Sequence, residues 1–134
     1  MKKDITAPPV EDIAVAIVTE RNDLGENEWN VYLLNLKKQK IEGVLVTSQG
    51  YGALDGEAVK TSTLRHFLDE VNANGFKKIE PIVETVFGLN NEFWVSFYIN
   101  KVMYDKKYIF LAESVTSTNL ITIPLINKKG VMIK

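Results

Sequence analysis

His66 is the only histidine in the chain, and histidine is the side chain whose charge changes most readily near neutral pH. Asp69 and Glu70 follow it by three and four residues, the spacing that shares one helical face, so the trio could orient the imidazole or hold a metal weakly. Structural zinc asks for four nitrogen or sulfur ligands, and catalytic zinc for several histidines, so no metal site and no cofactor are expected. The absence of cysteine also removes disulfides, iron–sulfur clusters and thiolate sites. Histidine-assisted nucleophilic catalysis would need a serine or threonine brought close by the fold, and no Gly-x-Ser-x-Gly elbow announces one.

The segment Ser48-Gln49-Gly50-Tyr51-Gly52-Ala53-Leu54-Asp55-Gly56 follows an apolar run, where glycines can bring backbone N–H groups to a phosphate. Its spacing matches neither the dinucleotide fingerprint nor a P-loop, and Asp55 and Glu57 would repel an anion. It reads as a flexible connecting loop. If the chain has a ligand surface, it is expected where this loop meets the next element, at Gly50, Tyr51, Gly52, Thr61, Arg65 and His66. Glu80 and Glu84 would face the same way on a strand, but four residues at ~3.3 Å set them about 13 Å apart, too far for a glycosidase pair.

Five Lys-Lys pairs, at 2–3, 37–38, 77–78, 106–107 and 128–129, could form a basic track for single-stranded nucleic acid beside Trp94 and Tyr98. The balance is 16 basic residues against 17 acidic ones, and that near-neutrality favours edge protection and solubility over polyanion binding. With 46% hydrophobic residues in 134, the chain has material for one core. A single domain over 1–134 is expected, with a Pro-stiffened leader over 1–10. No apolar run is long enough for a signal peptide or a spanning helix, so a cytoplasmic protein with no membrane contact is expected.

The elements that must position these side chains are mainly strands. Apolar and aromatic runs at 12–19, 28–36, 41–47, 79–87, 92–100, 102–112 and 120–126 alternate with turn-forming clusters, and a last short run lies at 131–134. Asn100-Lys101 fits a two-residue hairpin turn. Pro81 and Pro124 each fall in a strand-like run, so those runs should be edges or bulges. One segment has a different rhythm: Leu64, Phe67, Leu68 and Val71 recur at helical spacing after a Ser/Thr cap and before Gly75, which predicts one helix over 62–74.

Most strands are apolar on both faces. Six strands at ~4.8 Å would make a sheet about 29 Å wide, whereas a twelve-residue helix is ~18 Å long and covers a stripe of about 10–12 Å. The expected fold is therefore α+β: about seven antiparallel strands, sandwich-like, with the helix closing one end. A leftover aromatic face bearing Trp94, Tyr98, Tyr108 and Phe110 is the expected homodimer interface; the alternative is that these aromatics fill the intramolecular core.

The strings 28–35 (EWNVYLLN), 60–66 (KTSTLRH), 90–95 (NNEFWV) and 104–108 (YDKKY) resemble a family of small bacterial proteins without assigned activity. Some members of that family carry the label phenylalanyl-tRNA synthetase subunit. The resemblance runs over nearly the whole chain and implies no activity. The functional expectation is a binding or protein-interaction domain without catalysis, partnered by itself, another protein or a small molecule. The alternatives are a small hydrolase or isomerase using His66 as acid/base, and a single-stranded nucleic-acid binder.

Overall fold

Alternation of period two sets the architecture of residues 8–134, which the computed structural model describes. Positions 1–7, including Lys2-Lys3 and most of the expected leader, lie outside the described residues. The strands are β1 (Ile13–Arg21), β2 (Asn27–Asn35), β3 (Ile41–Leu54), β4 (Glu57–Lys60), β5 (Leu64–Val71), β6 (Gly75–Ile82), β7 (Asn90–Ile99), β8 (Val102–Phe110), β9 (Ile121–Thr122) and β10 (Lys129–Ile133). They form two antiparallel sheets. The first runs β6-β2-β1-β10-β9, and the second runs β4-β3-β7-β8 with β5 also on β3. Strand β3 is long enough to serve two neighbours along one edge, β5 against its first half and β4 against its last four residues.

The inward faces of the two sheets share one core. Ile13, Val15, Ile17, Val31 and Leu33 from the first meet Val44, Val46, Phe93, Val95, Phe97 and Tyr108 from the second. Tyr108 donates its hydroxyl to the Ile13 carbonyl oxygen at 2.6 Å, joining the sheets, and burial pushes its pKa up. Each hydrophobic side chain fully buried this way is worth roughly 1.5–3 kcal/mol, so strands with apolar residues on alternate positions suffice to hold the layers together.

The α+β expectation is overturned: among the described residues there is no α-helix, only two short 3-10 turns at Glu84–Gly88 and Ser117–Asn119. Residues 64–71 are β5, and 72–74 lie in the turn that leads to β6, closed by a Gly75 N–H donating to the Asn72 carbonyl at 3.0 Å. The reason lies in a bulge. Leu64, His66 and Leu68 have the inward phase of a strand, Asp69 takes φ 65°, and the extra residue brings Val71 inward again. That single insertion turns a period of two into the intervals of four and three that mimic a helix. Phe67, the residue that a helix would have buried, faces solvent instead.

The 48–56 segment is likewise no flexible loop. Through Leu54 it continues β3, and Asp55 and Gly56, at φ 54° and 80°, turn it into β4. The 79–87 run divides into the end of β6 and the Glu84–Gly88 turn. Pro81 sits on β6, at the edge of the first sheet, while Pro124 falls in the bend after β9. Asn100 and Lys101 take φ 50° and 67° between Ile99 and its partner Val102, forming a two-residue turn.

The outer faces differ. Ala14, Ala16, Val18 and Leu34 on the first sheet are roofed by Ile123, Leu125 and Ile126, so the chain's own segment after β9 covers that face. Small alanines let the roof approach closely. Lys128 anchors it by donating to Glu20 Oε1 at 2.8 Å, while Tyr32 and Asn30 donate to Glu20 Oε2 at 2.6 and 2.7 Å. Burial alone would raise the Glu20 pKa, but these donors outweigh it and hold the carboxyl below its ordinary value. Burial and the Glu20 charge together push the Tyr32 phenol up. No described segment roofs the second sheet in the same way. No helix among the described residues is long and apolar enough to cross a membrane.

Candidate functional site

Two features of this framework could meet another molecule: a cleft at the open edge of the sandwich and the bare outer face of the second sheet. The cleft has a volume of about 250 Å³ and opens between β3 and β5 on one side and β6 on the other, with the Glu84–Gly88 turn behind it. Its polar centre is Glu80. Ser48 donates its hydroxyl to Glu80 Oε1 at 2.7 Å, and His66 Nε2 meets the same oxygen at 2.7 Å. Glu80 Oε2 accepts from none of the described residues. Around this centre the walls are apolar, with Leu64, Ile82, Val83, Val86 and Phe93.

Gly50 and Thr61 line the same cleft and fix its rim. The Gly50 N–H donates to Thr61 Oγ1 at 2.7 Å, and the Thr61 N–H returns a bond to the Gly50 carbonyl at 2.8 Å. His66 adjoins the cleft through Glu80 rather than through Asp69 or Glu70, because a strand points those residues elsewhere and brings β6 opposite instead. Tyr51 and Arg65 have the opposite phase and face outward. The Tyr51 hydroxyl lies 3.4 Å from Glu92 Oε1, and burial together with that carboxylate raises its pKa. Gly52 sits farther along β3, paired with Val59, outside the cleft.

Ser48 and Glu80 are the site residues that sequence reasoning passed over, and the signal was present for one. Val44, Val46, Ser48 and Gly50 share the buried phase of β3, and a serine there must find a partner. Glu84, which the sequence set too far from Glu80 for a carboxylate pair, begins the 3-10 turn and accepts from Trp29 Nε1 at 2.9 Å.

As a serine-nucleophile site the arrangement is out of order. A serine nucleophile needs its hydroxyl on the base, with a third group orienting the base. Here the carboxylate stands between Ser48 and His66, holding both. Among the described residues no group of three or more His, Asp or Glu side chains is placed to bind a metal.

On the second sheet, register divides the four aromatics proposed as an interface. Trp94 pairs with Lys107 and Phe93 with Tyr108, so Trp94 and Tyr98 face outward, 45% and 43% exposed, while Tyr108 and Phe110 face the core, 1% and 3% exposed. Phe67, 68% exposed, and Met103 complete an outward apolar stripe. Across the strands, Arg65, Thr47, Trp94 and Lys107 form one row, and Phe67, Leu45, Ser96 and Asp105 form the next. Lys107 Nζ lies 4.9 Å from the centre of the Trp94 ring, and no ion-pair partner among the described residues reaches Arg65, Asp105 or Lys107.

The four described lysine pairs are dispersed: one in the β2–β3 connection, one on β6, one on β8 and one at the start of β10. Of these lysines only Lys107 stands over an outward aromatic. The strings that resemble the small bacterial family fall on β2, on the β4–β5 connection, on β7 and on β8. Comparison with protein-family models, with curated proteins and with solved structures gives no match.

Proposed function

We propose that the protein is a non-catalytic interaction domain that pairs with a second copy of itself through the outer face of the second sheet. The observation that carries this reading is the set of outward apolar side chains Phe67, Trp94, Tyr98 and Met103, with charges of opposite sign, unpaired among the described residues, set in adjacent rows. Large exposed apolar side chains gathered on one face mark contact surfaces, and aromatic residues supply most of the binding energy in them.

The charge pattern favours a second copy over another partner. A two-fold axis lying across the strands, midway between the Trp94 row and the Ser96 row, exchanges those rows between copies. It sets Lys107 of one copy over Asp105 of the other, twice, and Arg65 over Phe67. A face that is complementary to itself in this way is what an isologous dimer requires. Four strands at ~4.8 Å and five residue rows at about 6.7 Å give roughly 640 Å² per copy, or on the order of 1,300 Å² in total. That is the low end for a specific interface, and a micromolar dissociation constant is expected.

The dispersed lysines and the intervening acidic residues speak against a nucleic-acid track on this face. The carboxylate lying between Ser48 and His66 speaks against a serine nucleophile activated by His66 in the cleft. Sedimentation equilibrium from about 1 to 500 µM tests the proposal. A rise from 15.1 kDa toward twice that mass is expected, with Phe67→Ser weakening association at least tenfold. A wild-type chain that stays monomeric throughout overturns it.

A further inference from the structure

Beyond self-association, we infer that the Glu80 cleft binds a primary alkylammonium group, with the ammonium on Glu80 Oε2 and the hydrocarbon against Ile82, Val86 and Phe93. Three observations converge on this ligand class. The first is the carboxylate itself. Ser48 and His66 both engage Oε1, at 2.7 Å each, which fixes the group and leaves Oε2 without a donor among the described residues. An ionised carboxylate accepts at both oxygens, so the site calls for a donor, and a charged donor makes the stronger bond.

The second observation is the setting. Among the described residues no lysine or arginine lines the cleft, so neither occupies the place of a cation. The third is size. The cleft measures about 250 Å³. This falls below the ~300–1,000 Å³ of pockets for drug-sized ligands and suits a chain of about four carbons ending in nitrogen. Two sources share that chemistry, a free alkylamine and the side chain of a lysine on a peptide.

The test is an amide ¹H–¹⁵N NMR titration of the full chain with n-butylammonium chloride. Sodium butyrate, n-butanol and sodium chloride are run in parallel, and Nα-acetyl-lysine methylamide represents a peptide lysine. Saturable shifts at Ser48, Gly50, Glu80 and Phe93 are expected with butylammonium, at a low-millimolar dissociation constant, and much weaker ones with butanol. Saturation by the lysine derivative as well identifies a peptide side chain as an acceptable ligand, and saturation by butylammonium alone identifies the free amine. Both results uphold the inference.

Glu80→Gln, checked for folding by circular dichroism, is expected to lose affinity at least tenfold. Leu64→Lys provides an independent variant at the solvent-facing rim: its tethered ammonium is expected to occupy Glu80 and abolish the butylammonium shifts. The inference is overturned if butyrate or sodium chloride produces the same shifts, if nothing saturates, or if Leu64→Lys binds butylammonium like the wild type.

Discussion

His66 Nε2 and Glu80 Oε1 lie 2.7 Å apart, although one belongs to the second sheet and the other to the first. The contact crosses the open edge of the sandwich where the chain passes from β5 to β6. With side-chain exposures of 26% and 13%, the pair is sheltered enough that water replaces a lost partner only in part.

His66→Ala leaves the Glu80 carboxylate with Ser48 alone. A partly buried acceptor deprived of a donor costs about 1–3 kcal/mol, so urea denaturation is expected to show a loss of that size. A loss under about 0.5 kcal/mol would mean that the imidazole is dispensable at this edge.

Lys101 occupies the second position of the β7–β8 turn at φ 67°, a conformation that favours glycine. Lys101→Gly is expected to raise stability by about 0.5–1 kcal/mol in the same assay, because relief of left-handed strain outweighs the greater freedom of the unfolded chain. If it destabilises instead, the turn geometry described above is wrong.

Glu20 gives the pH dependence. Its folded pKa is depressed by Lys128, Tyr32 and Asn30 against the opposing effect of burial, so the unfolded chain binds its proton more readily than the folded one. The stabilisation is therefore complete above the ordinary glutamate value of 4.5 and is lost as pH falls through the lower folded value. Folding free energies measured from pH 7 to pH 2.5 are expected to fall less steeply below about pH 4.5 in Glu20→Gln than in the wild type. Parallel curves would remove Glu20 from the acid limb.

Strands β1, β2, β7 and β8 were legible because apolar side chains recur along them and turn-forming residues bound them. The β7–β8 turn was legible too, but the register it implies was not carried into the expected aromatic face: a two-residue connection after Ile99 pairs it with Val102 and sends Trp94 and Tyr108 to opposite faces, whereas the expectation set both on one. The illegible part was β5. Its bulge at Asp69 exists because β3 offers a free edge, and edge pairing between distant segments leaves no mark on local spacing. The same non-local cause hid the site. Gly50, Thr61 and His66 could be singled out as polar or flexible positions, but Glu80 joins them only because β6 belongs to the opposite sheet. Cover was also only half readable. The chain supplies a roof for the first sheet from Ile123 onward, and sequence alone does not say which of two sheets receives it.

The two-fold pairing of Lys107 with Asp105 is tested most directly by exchanging their charges and measuring dimerisation by sedimentation equilibrium. Lys107→Asp and Asp105→Lys are each expected to weaken the dimer at least tenfold, because like charges then face each other across the interface. The double variant Lys107→Asp/Asp105→Lys restores both attractions and is expected to return to within about threefold of the wild type. A double variant as weak as the single ones, or a wild-type chain that never dimerises, would contradict the account.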